Sequence, residues 1–178
     1  PILGKMGLTD GVKGGLMEDE AVEVAGLLDD AGIDGLISTG GTSSMNPMLL
    51  FHGDSLLPGL IQVEKNWITR LGICMVGPWM FKKYPYKELY FLEGAKRVRD
   101  RIKHAKLCYI GGVCTMESLD TVMREFDFVQ IGRALIKDPA FVHHAMEDPD
   151  YVNGCDHCNK CATLIFHPDG IRCVANDK

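Results

Sequence analysis

Four cysteines lie close together in the last quarter of the chain, at a spacing that could hold a metal centre. They form a C-x2-C-x2-C-x11-C run, made of Cys155, Cys158, Cys161 and Cys173. Thiolates are soft ligands that select iron–sulfur clusters or zinc, and two-residue gaps let neighbouring sulfurs point at one centre. Reduced free thiols and disulfides are the alternatives, and disulfides are the weaker of the two because the other three cysteines are scattered along the chain. The run therefore predicts a cluster or metal site.

Two glycine-bearing pairs each follow an apolar segment and could form a site for an anion. Gly111-Gly112 comes directly after residues 107–110, and Gly132-Arg133 comes directly after residues 128–131. Loops of this kind place bare backbone N–H groups, a helix N-terminus and a guanidinium around one phosphate. Either pair alone is common in ordinary turns. Because they follow consecutive strand-like segments, the two pairs together predict phosphate binding.

Lys5 stands within the first apolar segment of the chain, at residues 1–6. Lysine is rarely buried without a partner, so two interpretations stay open. The side chain either faces the electron-rich edge of a ligand or extends to solvent from an edge strand.

The elements that must position these residues alternate between strand and helix. Apolar strand-like segments are expected at about residues 1–6, 33–37, 107–110 and 128–131, and helical periodicity is found from Glu18 to Gly32, at 87–103, after Thr115, and after Asp138-Pro139. Such repeats predict an α/β fold with parallel strands and right-handed crossovers. Because every strand ends in a glycine-bearing loop, the repeats favour a (β/α) barrel over a doubly wound sheet.

Residues 1–150 are expected to form this body, and residues 151–178 to form a cysteine-rich segment. A proline-rich insertion is expected at about 42–86, as an extended loop with one or two short helices. Its aromatic residues Trp67, Trp79, Phe81 and Tyr84 are expected to form a small core of their own. Tyr86, Tyr90, His52 and the pair His143-His144 are interpreted as surface or packing residues, whereas His157 either bonds a sulfur or faces solvent.

Composition excludes several classes of function. The 178-residue chain has a formal net charge of -5, 46% hydrophobic residues and no basic stripe, which argues against a nucleic-acid partner and indicates a globular protein. No membrane-spanning segment is expected, and the cysteine usage favours a reducing cytoplasm.

Several motifs, met in order along the chain, resemble the C-terminal half of the FMN-binding barrel in the old yellow enzyme family of oxidoreductases. They lie at residues 1–6, 10–16, 20–25, 31–38, 109–113 and 128–135. The cysteine run, with Asn159 between Cys158 and Cys161, is similar to the branch that contains 2,4-dienoyl-CoA reductase and trimethylamine dehydrogenase. The resemblance implies the C-terminal half of a TIM (β/α)8 barrel, equivalent to strands 5–8, with a long insertion.

The resemblance also implies roles for named residues. Lys5 would stand beside the flavin's N1 and C2 oxygen, and Gly111, Gly112, Gly132 and Arg133 would bind the FMN phosphate. The four cysteines would hold a [4Fe–4S] cluster, although their last gap is close to but not the same as that of the clearest cluster-binding members, so zinc and free thiols stay open. The family's substrate-binding and proton-donating residues come from the barrel's other half, and no catalytic residue is assigned in this chain.

The implied activity is hydride transfer from NADH or NADPH through FMN to an activated alkene or enone, a small-molecule substrate. A non-catalytic half-barrel that binds phosphate and a structural zinc is the alternative, and a phosphate-binding isomerase or synthase is a third interpretation that leaves the cysteines without a role. Four strands alone would leave two sheet edges and an apolar face uncovered. The chain is therefore expected to be a fragment, to pair with a complementing chain, or to form a homo-oligomer that closes the barrel.

Overall fold

The protein is described by a computed structural model over residues 1–165 and 167–176. Its centre is one four-stranded sheet whose strands are all parallel and lie in chain order. The strands are β1 (Leu3–Gly7), β2 (Gly35–Thr39), β3 (Lys106–Ile110) and β4 (Phe128–Gln130). Parallel neighbours require a crossover between each pair, and helices supply it. The predicted α/β fold of parallel (β/α) repeats, arranged as part of a barrel, is confirmed.

Seven α-helices connect or follow these strands in the described part of the chain. They are α1 (Glu18–Asp30), α2 (Leu57–Val63), α3 (Trp67–Met80), α4 (Leu92–Arg101), α5 (Met116–Glu125), α6 (Arg133–Lys137) and α7 (Phe141–Glu147). Short 3₁₀ turns occur at Pro47–Leu49, Lys160–Leu164 and Val174–Asn176. None of these helices is both long and apolar enough to cross a membrane.

Local chemistry explains where the best-formed helices begin. Thr115 caps α5, because its hydroxyl accepts a hydrogen bond from the N–H of Ser118 at 3.1 Å. Glu20 in α1 accepts a hydrogen bond from the N–H of Met17 at 3.0 Å, and acids in this first turn suit the helix dipole. Both helix starts agree with those expected from the sequence.

One face of the sheet carries the core. Alternate strand residues, including Met6, Leu36, Leu107 and Tyr109, are buried there against α1, α4 and α5. The helices meet the sheet through small or branched residues, Ala25, Ala95 and Val122 among them, all of which are 0% exposed. Side chains two residues apart share a face, so the other half of each strand points away from these helices.

The opposite face of the sheet is open. The register aligns Lys5, Ile37, Cys108 and Phe128 in one row across all four strands. Leu3 is 67% exposed and Phe128 is 58% exposed. In a closed barrel this face is the packed interior, so the strands present a barrel's inner wall to solvent.

The insertion differs from its expected form. It contains the fourteen-residue helix α3, longer than the short helices expected. The predicted aromatic mini-core is wrong for both tryptophans, because Trp67 is 68% exposed and Trp79 is 80% exposed. Isoleucine, leucine and methionine side chains of α3 are also exposed, so this helix carries its apolar residues on the outside.

Two helix boundaries also differ. The helix expected over 87–103 begins only at Leu92, because Leu89 takes a left-handed conformation with φ 55° and its N–H bonds the carbonyl of Gly112. The helix expected to open at Asp138-Pro139 begins at Phe141, and a five-residue helix, α6, starts directly after Gly132. A single turn is too short to leave a readable periodicity.

The cysteine-rich segment is tied back onto the sheet's carboxyl end. Asn153 donates from its N–H to the carbonyl of Cys114 and from its side chain to the carbonyl of Ala134. Farther along, the carbonyl of His157 accepts a hydrogen bond from the N–H of Asp54 at 3.0 Å. These bonds bring the segment against the loops that follow β3 and β4 and against the insertion.

Candidate functional site

A pocket of about 230 Å³ lies at the carboxyl ends of the strands. Its wall includes all five residues that the sequence assigned to cofactor binding: Lys5, Gly111, Gly112, Gly132 and Arg133. They come from β1, from the loop after β3 and from the start of α6. We call this cavity the strand-end pocket.

The Gly111-Gly112 turn needs glycine at both positions. Its φ angles are +133° at Gly111 and +72° at Gly112, values that residues with a Cβ rarely adopt. A Cβ on Gly112 would stand 2.9 Å from the backbone nitrogen of Leu89 and 3.1 Å from the carbonyl oxygen of Lys87. Among the described residues, the N–H groups of Gly112 and Val113 have no protein acceptor. The turn thus brings free N–H donors to the pocket's wall.

Arg133 is held at the same wall. Its Nη1 donates to the carbonyl of His52 at 2.7 Å and to Oδ1 of Asn159 at 2.5 Å. The residue is half-buried, and within the described ranges no carboxylate forms an ion pair with it. A guanidinium that is partly removed from water and has no counter-charge favours an anionic ligand.

Lys5 lies on the open face of β1, where it is exposed. It belongs to the row that crosses the sheet, opposite Ile37. No ion pair to Lys5 is found over residues 1–165 and 167–176. The same pocket is thus lined by a second cation without an ion pair, in addition to Arg133.

Aromatic residues interpreted as packing also reach this pocket. Tyr86, Tyr90 and His157 line it, and Tyr86 stacks on His157 with ring centroids 3.3 Å apart. The ring of Tyr90 stacks on that of His52 at 4.0 Å, and the Tyr90 hydroxyl donates to the carbonyl of Leu50. The expectation that Tyr86 and Tyr90 only pack or face solvent is therefore incomplete, since both also form the pocket's wall.

Cys114 joins this group. The Tyr86 hydroxyl lies 3.3 Å from its sulfur, and Nε2 of His157 lies 4.0 Å from the same atom. Burial raises the pKa of the Cys114 thiol and that of the Tyr86 hydroxyl, and the bond to Cys114 raises the pKa of Tyr86 further. Burial, together with the nearby Arg133 charge, lowers the pKa of His157 to about 4. At neutral pH these groups therefore surround the pocket as uncharged side chains.

The four cysteines of the run line a second, smaller cavity, whose wall also includes Arg133. All four are free and half-buried, and burial raises the pKa of the Cys158 and Cys161 thiols. In the part of the chain that the structure describes, no three His, Cys, Asp or Glu side chains come together as a metal-binding group. The donor types fit a soft metal or cluster, whereas their present spacing does not yet form a ligand set. We call this second cavity the cysteine cavity.

The sequence carried only faint signals for the residues that it missed. Tyr86 and Tyr90 are spaced by four positions at the start of a region with helical periodicity, which reads as one face of a helix. His157 stands between two cysteines, a position that pointed to sulfur, and it does lie 3.8 Å from Cys155 through Nδ1. The contact between Tyr86 and His157 joins residues 71 positions apart, so only the fold brings it about.

Comparison with known proteins finds reductases. The chain is 32% identical over 178 residues to the 4,4'-dithiodibutanoate disulfide reductase of Rhodococcus erythropolis, which matches 99% of this chain and 43% of that protein. The chain thus spans less than half the length of this relative. No protein-family model matches.

A solved structure shares the fold. The chain superposes on a 2-naphthoyl-CoA reductase, in its complex with 2-naphthoyl-CoA, with a TM-score of 0.60 at 16% identity. The superposition covers 94% of this chain and 21% of that one. At this identity the likeness concerns the fold alone, and it matches the parallel (β/α) arrangement to one part of a larger chain.

Proposed function

We propose that this chain is the cofactor-phosphate half of an FMN-dependent NAD(P)H oxidoreductase of the old yellow enzyme type. One observation carries the proposal: residues from β1, from the loop after β3 and from the start of α6 line a single pocket with two unpaired cations and free backbone N–H groups. The similarity to part of a disulfide reductase supports the redox class.

The residues of the pocket fit the phosphate of FMN and the negative charge that its ring carries when reduced. Gly111, Gly112, Gly132 and Arg133 would hold the phosphate, through N–H groups and the guanidinium. Lys5, on the open face of β1, would stand beside the isoalloxazine and stabilise negative charge there. When bound, FMN would supply hydride transfer from NADH or NADPH to an activated alkene or enone.

The neutral side chains around the pocket would exclude water and orient the ligand. Tyr86 and His157 present stacked rings, and Tyr90 is fixed by its bond to Leu50. Flat apolar surfaces of this kind favour the burial of an aromatic ring system.

The cysteine cavity is proposed to hold a [4Fe–4S] cluster, with Cys155, Cys158, Cys161 and Cys173 as its four ligands. Zinc in the same four thiolates is the second candidate, because tetrahedral S4 coordination suits it equally well. In that case the chain would be a phosphate- and metal-binding half-barrel without catalysis of its own.

The first experiment is an ultraviolet–visible spectrum of anaerobically purified protein, paired with iron, zinc and acid-labile sulfide analysis. Flavin bands with a broad iron–sulfur shoulder are expected. A colourless protein with stoichiometric zinc would support the second candidate instead. Titration with FMN and, separately, with riboflavin should show that tight binding needs the phosphate; equal binding of both would contradict the proposed role of the pocket.

The open face of the sheet is proposed to be covered by another chain, either a second copy or a complementing half-barrel. The exposed Leu3 and Phe128 on this face and the edge strands β1 and β4 favour it. Light scattering tests this directly. A monodisperse monomer with a cooperative thermal transition would contradict it.

A further inference from the structure

Asn159 is the residue through which the cysteine-rich segment reaches the strand-end pocket. It lies between Cys158 and Cys161, it is only 1% exposed, and its backbone is left-handed with φ 59°. Asparagine tolerates this conformation better than most residues. No sequence motif assigned it a role, yet few polar side chains in the described ranges are as deeply buried.

The side chain of Asn159 bonds three partners. Its Nδ2 donates to the carbonyl of Phe51 and to the carbonyl of Asp54, both at 2.8 Å. Its Oδ1 accepts from Nη1 of Arg133 at 2.5 Å. One amide thus joins the cysteine-rich segment, the insertion and the first residue of α6.

These partners determine which way the amide points. Both hydrogens of Nδ2 face carbonyl oxygens, so Oδ1 must face the guanidinium. The opposite orientation would set the amide oxygen against two carbonyls and the NH2 group against a cation. The network therefore admits one orientation, and that orientation presents an acceptor to Arg133.

The acceptor is neutral, and this matters for the ligand. The two hydrogen bonds of Nη1, to Asn159 and to the carbonyl of His52, restrain the guanidinium without cancelling its charge. Three N–H donors on Nη2 and Nε remain, and they can bond a ligand or the Tyr90 hydroxyl, with which Arg133 interacts. A carboxylate at position 159 would restrain Arg133 equally well but would compete with an anion for it.

We propose that Asn159 is a positioning residue that fixes Arg133 for a phosphate monoester and leaves its charge free for that ligand. The inference rests on the proposed function, because it takes the strand-end pocket as the phosphate site. It adds a residue outside the glycine loops, and it makes the cysteine-rich segment a structural part of that site.

The test uses inorganic phosphate as the first probe, so that it does not depend on flavin binding. The thermal midpoint is measured in phosphate and in chloride at matched ionic strength, for the unaltered chain and for Asn159→Asp, Asn159→Gly and Arg133→Met. Phosphate is expected to stabilise the unaltered chain, and the apparent phosphate affinity should fall about tenfold or more in each variant. In the Arg133→Met background, Asn159→Asp should change the affinity less than about twofold, because the two residues act through one contact.

Asn153 provides the matched control. It is another buried asparagine of the same segment, 4% exposed, and it bonds Ala134 and Cys155 but not Arg133. Asn153→Gly should lower the thermal midpoint and leave phosphate affinity unchanged. Asn159→Gly tolerates the left-handed backbone, so it serves where Asn159→Asp fails to fold.

The outcomes separate the inference from the proposed function. Equal phosphate affinity in the unaltered chain and in the Asn159 variants overturns the inference. The absence of any stabilisation by phosphate also overturns it. So does a loss of phosphate affinity that Asn153→Gly reproduces. The FMN and riboflavin titrations are then repeated on the same proteins. If phosphate binding follows Asn159 but FMN binds no better than riboflavin, the inference stands and the proposed flavin function fails.

Discussion

Arg133 lines both the strand-end pocket and the cysteine cavity, yet the two cavities differ in how completely the fold arranges their ligand-binding groups. In the pocket, the donors are already in place, because parallel strands and two glycine turns fix the backbone that carries them. In the cavity, four thiols face one space, but no three of them form a ligand group among the described residues. Donors carried by the backbone are set by folding alone, whereas a set of thiol ligands in a protein is commonly completed only when the metal binds.

The largest effect is expected from substituting Gly112, because this tests whether the backbone turn shapes the strand-end pocket. Gly112→Ala places a Cβ against the backbone of Leu89 and Lys87 at a φ of +72°. We expect the unfolding free energy to fall by roughly 2 kcal/mol or more and FMN binding to be lost. Denaturant unfolding and an FMN titration measure the two effects. Gly14→Ala is the control, since Gly14 has a φ of +78° but nothing within 4 Å of its Cβ position. Equal behaviour of the two variants would show that the close approach is unimportant.

The cysteine cavity should respond in the opposite way. Cys161→Ser is expected to abolish iron incorporation under anaerobic reconstitution while changing the unfolding free energy of the metal-free chain by less than about 1 kcal/mol, because no ligand set exists before binding. Iron and sulfide analysis and denaturant unfolding give both numbers. Cys74→Ser, on the exposed surface of α3, is the control and should retain iron. Full iron content in Cys161→Ser would remove this cysteine from the proposed ligands.

Arg133 lines both cavities, so its substitution tests whether its charge serves the strand-end pocket. Arg133→Met is expected to weaken FMN binding about 30-fold and to leave riboflavin binding unchanged, since only the phosphate loses its charged partner. Flavin fluorescence quenching measures both affinities. Lys137→Met removes a charge from the same helix outside the strand-end pocket, and it should leave both unaffected. A parallel loss of FMN and riboflavin would mean that Arg133 supports the pocket's shape and not its charge.

Asp29 holds the backbone that leads into β3, the strand whose far end carries the Gly111-Gly112 turn. Its carboxylate accepts hydrogen bonds from the N–H groups of Lys103, His104 and Ala105, directly before β3, and these bonds lower its pKa, chiefly through Ala105. A lowered pKa in the folded state means that Asp29 stabilises the fold at neutral pH and that this contribution is lost as pH falls below about 4, through the folded pKa.

Asp29→Asn should therefore lower the thermal midpoint at neutral pH, and its difference from the unaltered chain should shrink in acid. Thermal unfolding from neutral to acidic pH measures this. Asp30→Asn, at a side chain that is 58% exposed, is the control. A midpoint difference that does not change with pH would show that the charge of Asp29 has no part in it.

Some parts of the molecule can be predicted from the sequence much better than others. Strand positions and glycine turns are local properties, so the pattern predicts the turns at Gly111-Gly112 and Gly132-Arg133, and the structure lines one pocket with both. The place of Lys5 at a cofactor follows from the family resemblance and stays a prediction. Tyr86 and His157 were not found, because their contact depends on the path of the insertion, which the bridge between Gly53 and Tyr84 holds in place. Trp67 and Trp79 were misread because a helix that exposes its apolar residues has no local signature to separate it from one that buries them.

The order of the strands carries a consequence for how the molecule forms. Each strand pairs with the one made just before it, and α1, α4 and α5 pack against the strands beside them. During synthesis the sheet can therefore grow by adding one repeat at a time, although the pairing of β2 with β3 waits for the whole insertion between them. Among the side-chain hydrogen bonds of the described residues, those from Asn159 to Phe51 and Asp54 span the most chain, more than a hundred residues. The wall of the strand-end pocket around Arg133 is thus completed late, only after the cysteine-rich segment has been made and has docked.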